Sequence, residues 1–190
     1  WIISDEVYDR IVFDGPHVSF MGAGYDRVLV VNSFSKTFAM TGWRMGYIIS
    51  EHAEAMHQVI KMQYYIAACS NDAMQHAILA TIEQASDYPE MIAAEFKQRR
   101  DLIVDRLNAM PGVECHKPQG AIYVFPKVTV PGMTSQELAM ALLNDGVLCS
   151  PGSAFGPSGE GHLRFAYTIS QADISRGMDI VEATLNRLLS

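Results

Sequence analysis

Three short apolar runs, residues 1–4, 28–32 and 45–50, stand apart from one another between turn-forming segments. Asp14-Gly15-Pro16 and Met21-Gly22-Ala23-Gly24 separate the first two. Short apolar runs bounded by Gly, Pro and Asp predict strands. The pattern then changes. Residues 51–66 and 71–85 predict helices, the second capped by Ser70 or Asn71. A longer helix is predicted over roughly 88–110, starting near Pro89 and stopping before Pro111-Gly112. Met91, Ile92, Phe96, Ile103 and Leu107 supply its apolar positions. Lys97, Arg99, Arg100 and Asp101 read as a solvated polar face.

From residue 113 onward short strands and helices alternate. Strands are predicted at 113–116, 121–126, 147–149 and 162–167. Thr134-x-x-Glu137 and Ser170-x-x-Asp173 have the spacing of capping boxes, which opens helices at 135–145 and 171–189. The last helix carries Ile174, Met178, Val181, Leu185 and Leu188 on one side. The sequence thus predicts an α/β fold in three stretches: 1–75 with the first strands, 76–112 as connecting helices, and 113–190 as a smaller α+β domain. There are no internal repeats and no low-complexity segments.

Composition narrows the function. Of 190 residues, 49% are hydrophobic, which excludes a disordered tail. A chain of this length buries about 70% of its unfolded surface. The 14 basic and 21 acidic residues give a net charge of −7, which argues against nucleic acid or an anionic membrane as the main partner. No apolar run approaches the ~20 residues of a membrane span. Cys69, Cys115 and Cys149 are scattered and the histidines form no ligand pattern, so reduced thiols and no metal site are expected. The 11 methionines read as packing residues at helix core spacing.

The chemistry concentrates in two places. Ser33-Phe34-Ser35-Lys36 is followed, eight positions after the lysine, by Arg44 within Gly42-Trp43-Arg44-Met45-Gly46-Tyr47. A lysine desolvated near other cations loses its proton more easily and becomes nucleophilic. Two hydroxyls and a guanidinium supply what a phosphate monoester needs. An imine-forming lysine beside a phosphate cup describes pyridoxal 5′-phosphate. Upstream, an apolar strand ends in Asp5-Glu6-Val7-Tyr8. Asp5 suits the pyridine nitrogen of that cofactor, which must stay protonated for the ring to accept electrons. Tyr8 suits its 3-oxygen.

Singly, each residue has an ordinary explanation. Asp5 reads as a turn or cap, Tyr8 as half-buried packing, Ser-x-Ser-Lys as a solvated loop and Arg44 as a surface cation. Together, in this order, they favour a cofactor site. Arg164 is weighed separately. Leu163, Phe165 and Tyr167 alternate with His162, Arg164 and Ala166 along a strand, so the arginine lies on the second face. It is either an exposed edge cation or a bidentate clamp for an α-carboxylate.

These segments, with His162-Leu163-Arg164-Phe165-Ala166-Tyr167 and the loop Ser150-Pro151-Gly152-Ser153-Ala154-Phe155-Gly156, resemble the carboxyl-terminal half of class I/II aminotransferases of the aspartate aminotransferase-like, fold type I group. The resemblance covers nearly the whole chain. It implies that residues 1–75 belong to a mixed, mostly parallel three-layer large domain that binds pyridoxal phosphate, and 113–190 to a small domain that closes over substrate. It implies Lys36 as the catalytic Schiff-base lysine. Asp5, Tyr8, Ser33, Ser35, Lys36 and Arg44 would bind the cofactor, and Arg164 the substrate carboxylate. The implied reaction moves an amino group between an L-amino acid and a 2-oxo acid, in a homodimer; the reduced cysteines point to a cytoplasmic protein.

The chain opens at Trp1 inside an apolar strand, and members of the family are much longer. It is therefore expected to be a fragment with little activity alone. The amino acid used is left unspecified, since no arginine lies between Arg44 and Arg99 to mark a dicarboxylate enzyme. Two alternatives share the scaffold: a carbon–sulfur lyase or aminocyclopropane carboxylate synthase-like enzyme, and the aminotransferase-like effector domain of a transcription regulator.

Overall fold

A computed structural model describes all residues from Trp1 to Ser190. The chain forms two compact units, Trp1–Ala93 and Ala94–Ser190. The stretch 76–112, expected as a connector, is shared between them.

The first unit is built on three strands, β1 (Ile2–Asp5), β2 (Val28–Ser33) and β3 (Gly46–Ile49), in the order β1-β2-β3. β1 runs parallel to β2, with Asp5 opposite Val31. β3 runs antiparallel to β2, with Ser33 opposite Gly46. β2 alternates as a half-buried strand should: Val28, Val30 and Asn32 are buried and their neighbours are partly open. A single helical turn, α1 (Phe34–Thr37), follows β2 directly. Helices α2 (Ala53–Ala67) and α3 (Asp72–Gln84) come after β3. Asn71 rather than Ser70 caps α3, its side chain accepting from the Met74 amide. Ile11, Phe13, Val28, Val30 and Ile78 form the core of this unit.

The second unit takes the rest of α4 (Tyr88–Asn108). It adds the short pair β4 (Val113–Glu114) and β6 (Lys127–Val128). Its main antiparallel sheet has the order β5-β8-β7, from β5 (Tyr123–Val124), β7 (Ser150–Pro151) and β8 (Leu163–Ala166). Helices α5 (Ser135–Asn144) and α6 (Gln171–Leu189) complete it. Thr134 and Glu137 form the reciprocal capping box that opens α5. At α6 only half of that arrangement exists: Ser170 Oγ accepts from the Asp173 amide, and the Asp173 carboxylate takes the Ser170 hydroxyl. Ile174, Met178, Val181 and Leu185 are buried along one side of α6 as the pattern predicts, and Thr184 joins them.

Several expectations need correction. The strand expected at 147–149 is displaced to Ser150–Pro151. Residues 145–147 are still closing α5: Gly146 has φ +102° and the Val147 amide reaches back to the Leu142 carbonyl at 2.8 Å. Arg100 is not on a solvated face but 1% exposed. Its guanidinium is satisfied by Asp101 and the Pro118 carbonyl, each at 2.9 Å, so burial is tolerated. The methionines are mostly not core: Met110 and Met178 are buried, while Met62, Met91 and Met140 are exposed. No helix is long and apolar enough to cross a membrane.

Candidate active site at one end of the first sheet

Strand register assembles the predicted residues of the first unit. Asp5 is the last residue of β1 and stands opposite Val31, two positions before β2 ends at Ser33. The Glu6 amide extends that ladder to the Val31 carbonyl at 2.8 Å. Beyond Ser33 the chain turns into α1, which carries Ser35 and Lys36. β3 returns with Gly46 opposite Ser33, so Arg44, two residues earlier, lies at the same end. Asp5, Ser33, Lys36 and Arg44 are therefore grouped at the carboxyl ends of the parallel pair. Ligands in open α/β sheets bind at that edge.

Each side chain has a definite local state. Asp5 is exposed and its Oδ1 accepts from the Val7 amide at 3.3 Å. Tyr8 is half-buried in the turn that follows. Ser33 is the N-cap of α1 and its Oγ accepts from the Ser35 amide at 3.4 Å, while Asn32 Oδ1 accepts from the Ser33 amide at 2.7 Å. Ser35 is buried and Lys36 half-buried. Arg44 is exposed, has φ +54° and donates from Nη1 to the Thr41 carbonyl at 2.6 Å, folded onto its own turn.

Two open pockets flank this end. One, of about 730 Å³, has Gly42, Trp43, Arg44, Met45 and Asn71 among its walls. The other, of about 690 Å³, has Asp9, Asn32, Ser33, Phe34 and Tyr47. Arg44 and Ser33 thus face different pockets, and Lys36 lines neither. The backbone gathers the residues; their side chains are not hydrogen-bonded into one cluster.

Glu6 is the residue that sequence reasoning passed over. It is buried, and its carboxylate accepts from Ser4 Oγ at 3.0 Å, Ser19 Oγ at 3.1 Å and the Phe20 amide at 3.1 Å, with His17 Nε2 at 2.9 Å. Burial pushes its carboxyl up, but these hydrogen bonds outweigh burial and hold it below the ordinary glutamate value. Glu6 ties residues 17–20 to the end of β1, next to Asp5. Strand alternation was the available signal: if Asp5 faces out, Glu6 faces in, and a buried acid must recruit donors.

Arg164 belongs to the second unit, on β8. Leu163, Phe165 and Tyr167 are 1%, 4% and 0% exposed, so the arginine is on the opposite face as predicted. It is half-buried, with Nη2 3.4 Å from Ser150 Oγ. Its guanidinium carbon lies 4.6 Å from the centre of the Tyr123 ring and 4.5 Å from that of Phe155.

In chemical terms the first unit offers at one sheet edge a primary amine, a carboxylate, a phenol, two hydroxyls and a guanidinium. This donor set fits a ligand with an aldehyde, a phosphate and a protonated ring nitrogen.

The fold is of the α/β class, and comparison with known proteins specifies it further. The family of class I and II aminotransferases matches residues 1–181. A probable aspartate aminotransferase of Methanocaldococcus jannaschii is 39% identical over 186 residues, covering 95% of this chain and 48% of that protein. A probable N-acetyl-LL-diaminopimelate aminotransferase of Bacillus subtilis is 36% identical over 183 residues, covering 96% of this chain and 46% of that protein. Among solved structures, an aromatic aminotransferase of Pyrococcus horikoshii superposes with a TM-score of 0.90 at 36% identity, over 97% of this chain and 51% of that one. The chain belongs to the class I and II aminotransferase family. It spans about half the length of the curated relatives it matches.

Proposed function

We propose that this chain contributes to a pyridoxal phosphate-dependent aminotransferase that moves an amino group between an L-amino acid and a 2-oxo acid. The observation that carries this reading is the β1–β2 register, which sets Asp5 and the Ser33–Lys36 turn at adjacent strand ends. When bound, the cofactor supplies an electron-accepting ring that acidifies the α-hydrogen of an amino acid. Lys36 Nζ would hold the cofactor by its aldehyde carbon and, once an incoming amine has displaced it, would be free to carry the α-proton. Asp5 would keep a proton on the ring nitrogen, Tyr8 would donate to the ring oxygen, and Ser33, Ser35 and Arg44 would hold the phosphate. For Arg44 this requires its guanidinium to leave the Thr41 carbonyl. Arg164 takes the α-carboxylate. The names of the relatives, aspartate and N-acetyl-LL-diaminopimelate aminotransferase among them, support an amino-acid substrate.

The family's habit supports a homodimer, and the three free thiols support a reducing compartment such as the cytoplasm. The lyase and regulator readings have no observation in their favour.

The test is covalent trapping. The chain is incubated with pyridoxal phosphate, reduced with borohydride, digested and analysed by mass spectrometry. The label is expected on Lys36 in preference to Lys61, Lys97, Lys117 and Lys127, and Asp5→Ala should diminish it. Equal labelling of all five lysines would sink the assignment.

A further inference from the structure

Arg164 is a half-buried cation without an acid. No carboxylate pairs with it, and the single hydrogen bond of its guanidinium is the long one to Ser150 Oγ at 3.4 Å. Arginine has five N–H donors, and a partly buried guanidinium left this unsatisfied is costly unless something else compensates. Two aromatic rings do, Tyr123 at 4.6 Å and Phe155 at 4.5 Å from the guanidinium carbon. Rings attract the cation through their π faces but consume none of its N–H donors. The charge is held in place while its hydrogen-bonding fork stays free.

Phe155 is 51% exposed, so burial does not explain its position. Its loop is nevertheless tightly fixed. The Gly152 amide bonds the His162 carbonyl at 2.8 Å, and a β-carbon at Gly152 would stand 2.6 Å from that same oxygen. Ser135, at the start of α5, joins Ser153 Oγ at 3.1 Å. Glu160 takes both the Ser135 amide, at 2.6 Å, and its hydroxyl, at 3.0 Å. The Phe155 ring also meets the edge of Phe125 at 5.8 Å.

We infer that Tyr123 and Phe155 are positioning residues that hold the Arg164 guanidinium by its π contacts and so present its N–H fork to a planar carboxylate. The inference rests on the proposed role of Arg164 as carboxylate clamp and extends it to the two rings that contact its guanidinium. An ion pair in place of the rings would have fixed the arginine equally well, but it would also have occupied the fork.

The experiment is nitrogen-15 NMR of uniformly labelled chain, following the Arg164 Nε–Hε signal and the Ser150 amide during titration with acetate. A saturable shift of both signals is expected, and that of the Ser150 amide should be lost in Arg164→Lys, whose ammonium lacks the fork. Phe155→Leu keeps the bulk but removes the ring. It should weaken acetate binding about fourfold, the size of one exposed cation–π contact, and lower the Nε order parameter. Phe155→Trp should restore both. Wild-type affinity and wild-type Nε order in Phe155→Leu would overturn the positioning role and leave the carboxylate site standing. An acetate response that is absent, or that survives in Arg164→Lys, would instead overturn the clamp on which the inference depends.

Discussion

Gly46 faces Ser33 at the end of the antiparallel β2–β3 ladder, and a β-carbon there would stand 2.6 Å from the Asn32 carbonyl oxygen. The contact has consequences for the site. Asn32 also accepts from the Ser33 amide through its side chain, and Ser33 caps the turn bearing Lys36. The close approach of the two strands is what brings Arg44, just upstream of Gly46, to the end of the sheet where Lys36 begins its turn.

Gly46→Ala should therefore be destabilising by about 1–3 kcal/mol, the usual cost of forcing an extra carbon into a packed contact. The expected readout is a lower urea midpoint by tryptophan fluorescence. Trp1 and Trp43 both lie in the first unit, so the signal reports that unit. A midpoint equal to wild type would show that β3 can move away freely.

Glu6 gives stability a defined acid dependence. Its folded value lies below the ordinary 4.5. The carboxylate therefore contributes stability above about pH 4.5, where it is charged in both states. That contribution is lost as pH falls through the lowered folded value. Glu6→Gln should cost about 1.5–3 kcal/mol near neutral pH, the range for hydrogen bonds to a charged group. The gap from wild type should close in acid. Urea midpoints measured from pH 7 down to pH 3 would check this; a constant gap would mean that the charge is not what matters.

Sequence pattern was a good guide to where the longer elements begin and end. β1, β2, β3 and the helices fall within about two residues of their predicted ends, because alternation and caps mark them. Pattern failed where tertiary contacts decide. Arg100 lies in a charged run yet is buried, because Asp101 and the Pro118 carbonyl lie within reach of its guanidinium. Residues 121–126 read as one strand, but Ala121 has φ +63° and Pro126 has no amide to donate, so only Tyr123 and Val124 pair with β8. In the site, motif and order placed Asp5, Ser33, Lys36 and Arg44 at one sheet end. Neither the folding of Arg44 onto the Thr41 carbonyl nor the rings around Arg164 carries a local sequence signal, since both depend on chain geometry.

Ala121 offers a stabilising change. It adopts a left-handed backbone, costly for any residue with a β-carbon, while its carbonyl accepts from the buried Tyr167 hydroxyl at 3.0 Å. Ala121→Gly should gain about 0.5–1 kcal/mol, backbone relief less the greater unfolded-state freedom of glycine. Tyr167→Phe should lose about 1–2 kcal/mol by leaving that carbonyl without its donor. Burial already pushes the Tyr167 phenol well above its ordinary value, so the hydroxyl stays protonated and the bond should persist through mildly alkaline pH. Thermal unfolding by circular dichroism would check both signs. A destabilised Ala121→Gly would show that the turn holds its shape only with a side chain present.

Helix α2 has no buried residue, yet it carries Ile60, Tyr64, Tyr65 and Ile66, the last three 67–74% exposed. Exposed apolar patches on this scale drive association. The chain should bind a hydrophobic dye and sediment as more than a monomer at micromolar concentration. Tyr65→Lys with Ile66→Lys should reduce both properties. Because neither residue packs into the core of the unit, the unfolding free energy from urea titration should stay within about 0.5 kcal/mol of wild type. Sedimentation separates the possibilities: loss of association without loss of stability identifies α2 as the contact surface. A chain that remains monomeric before substitution would mean that this apolar surface is tolerated in water.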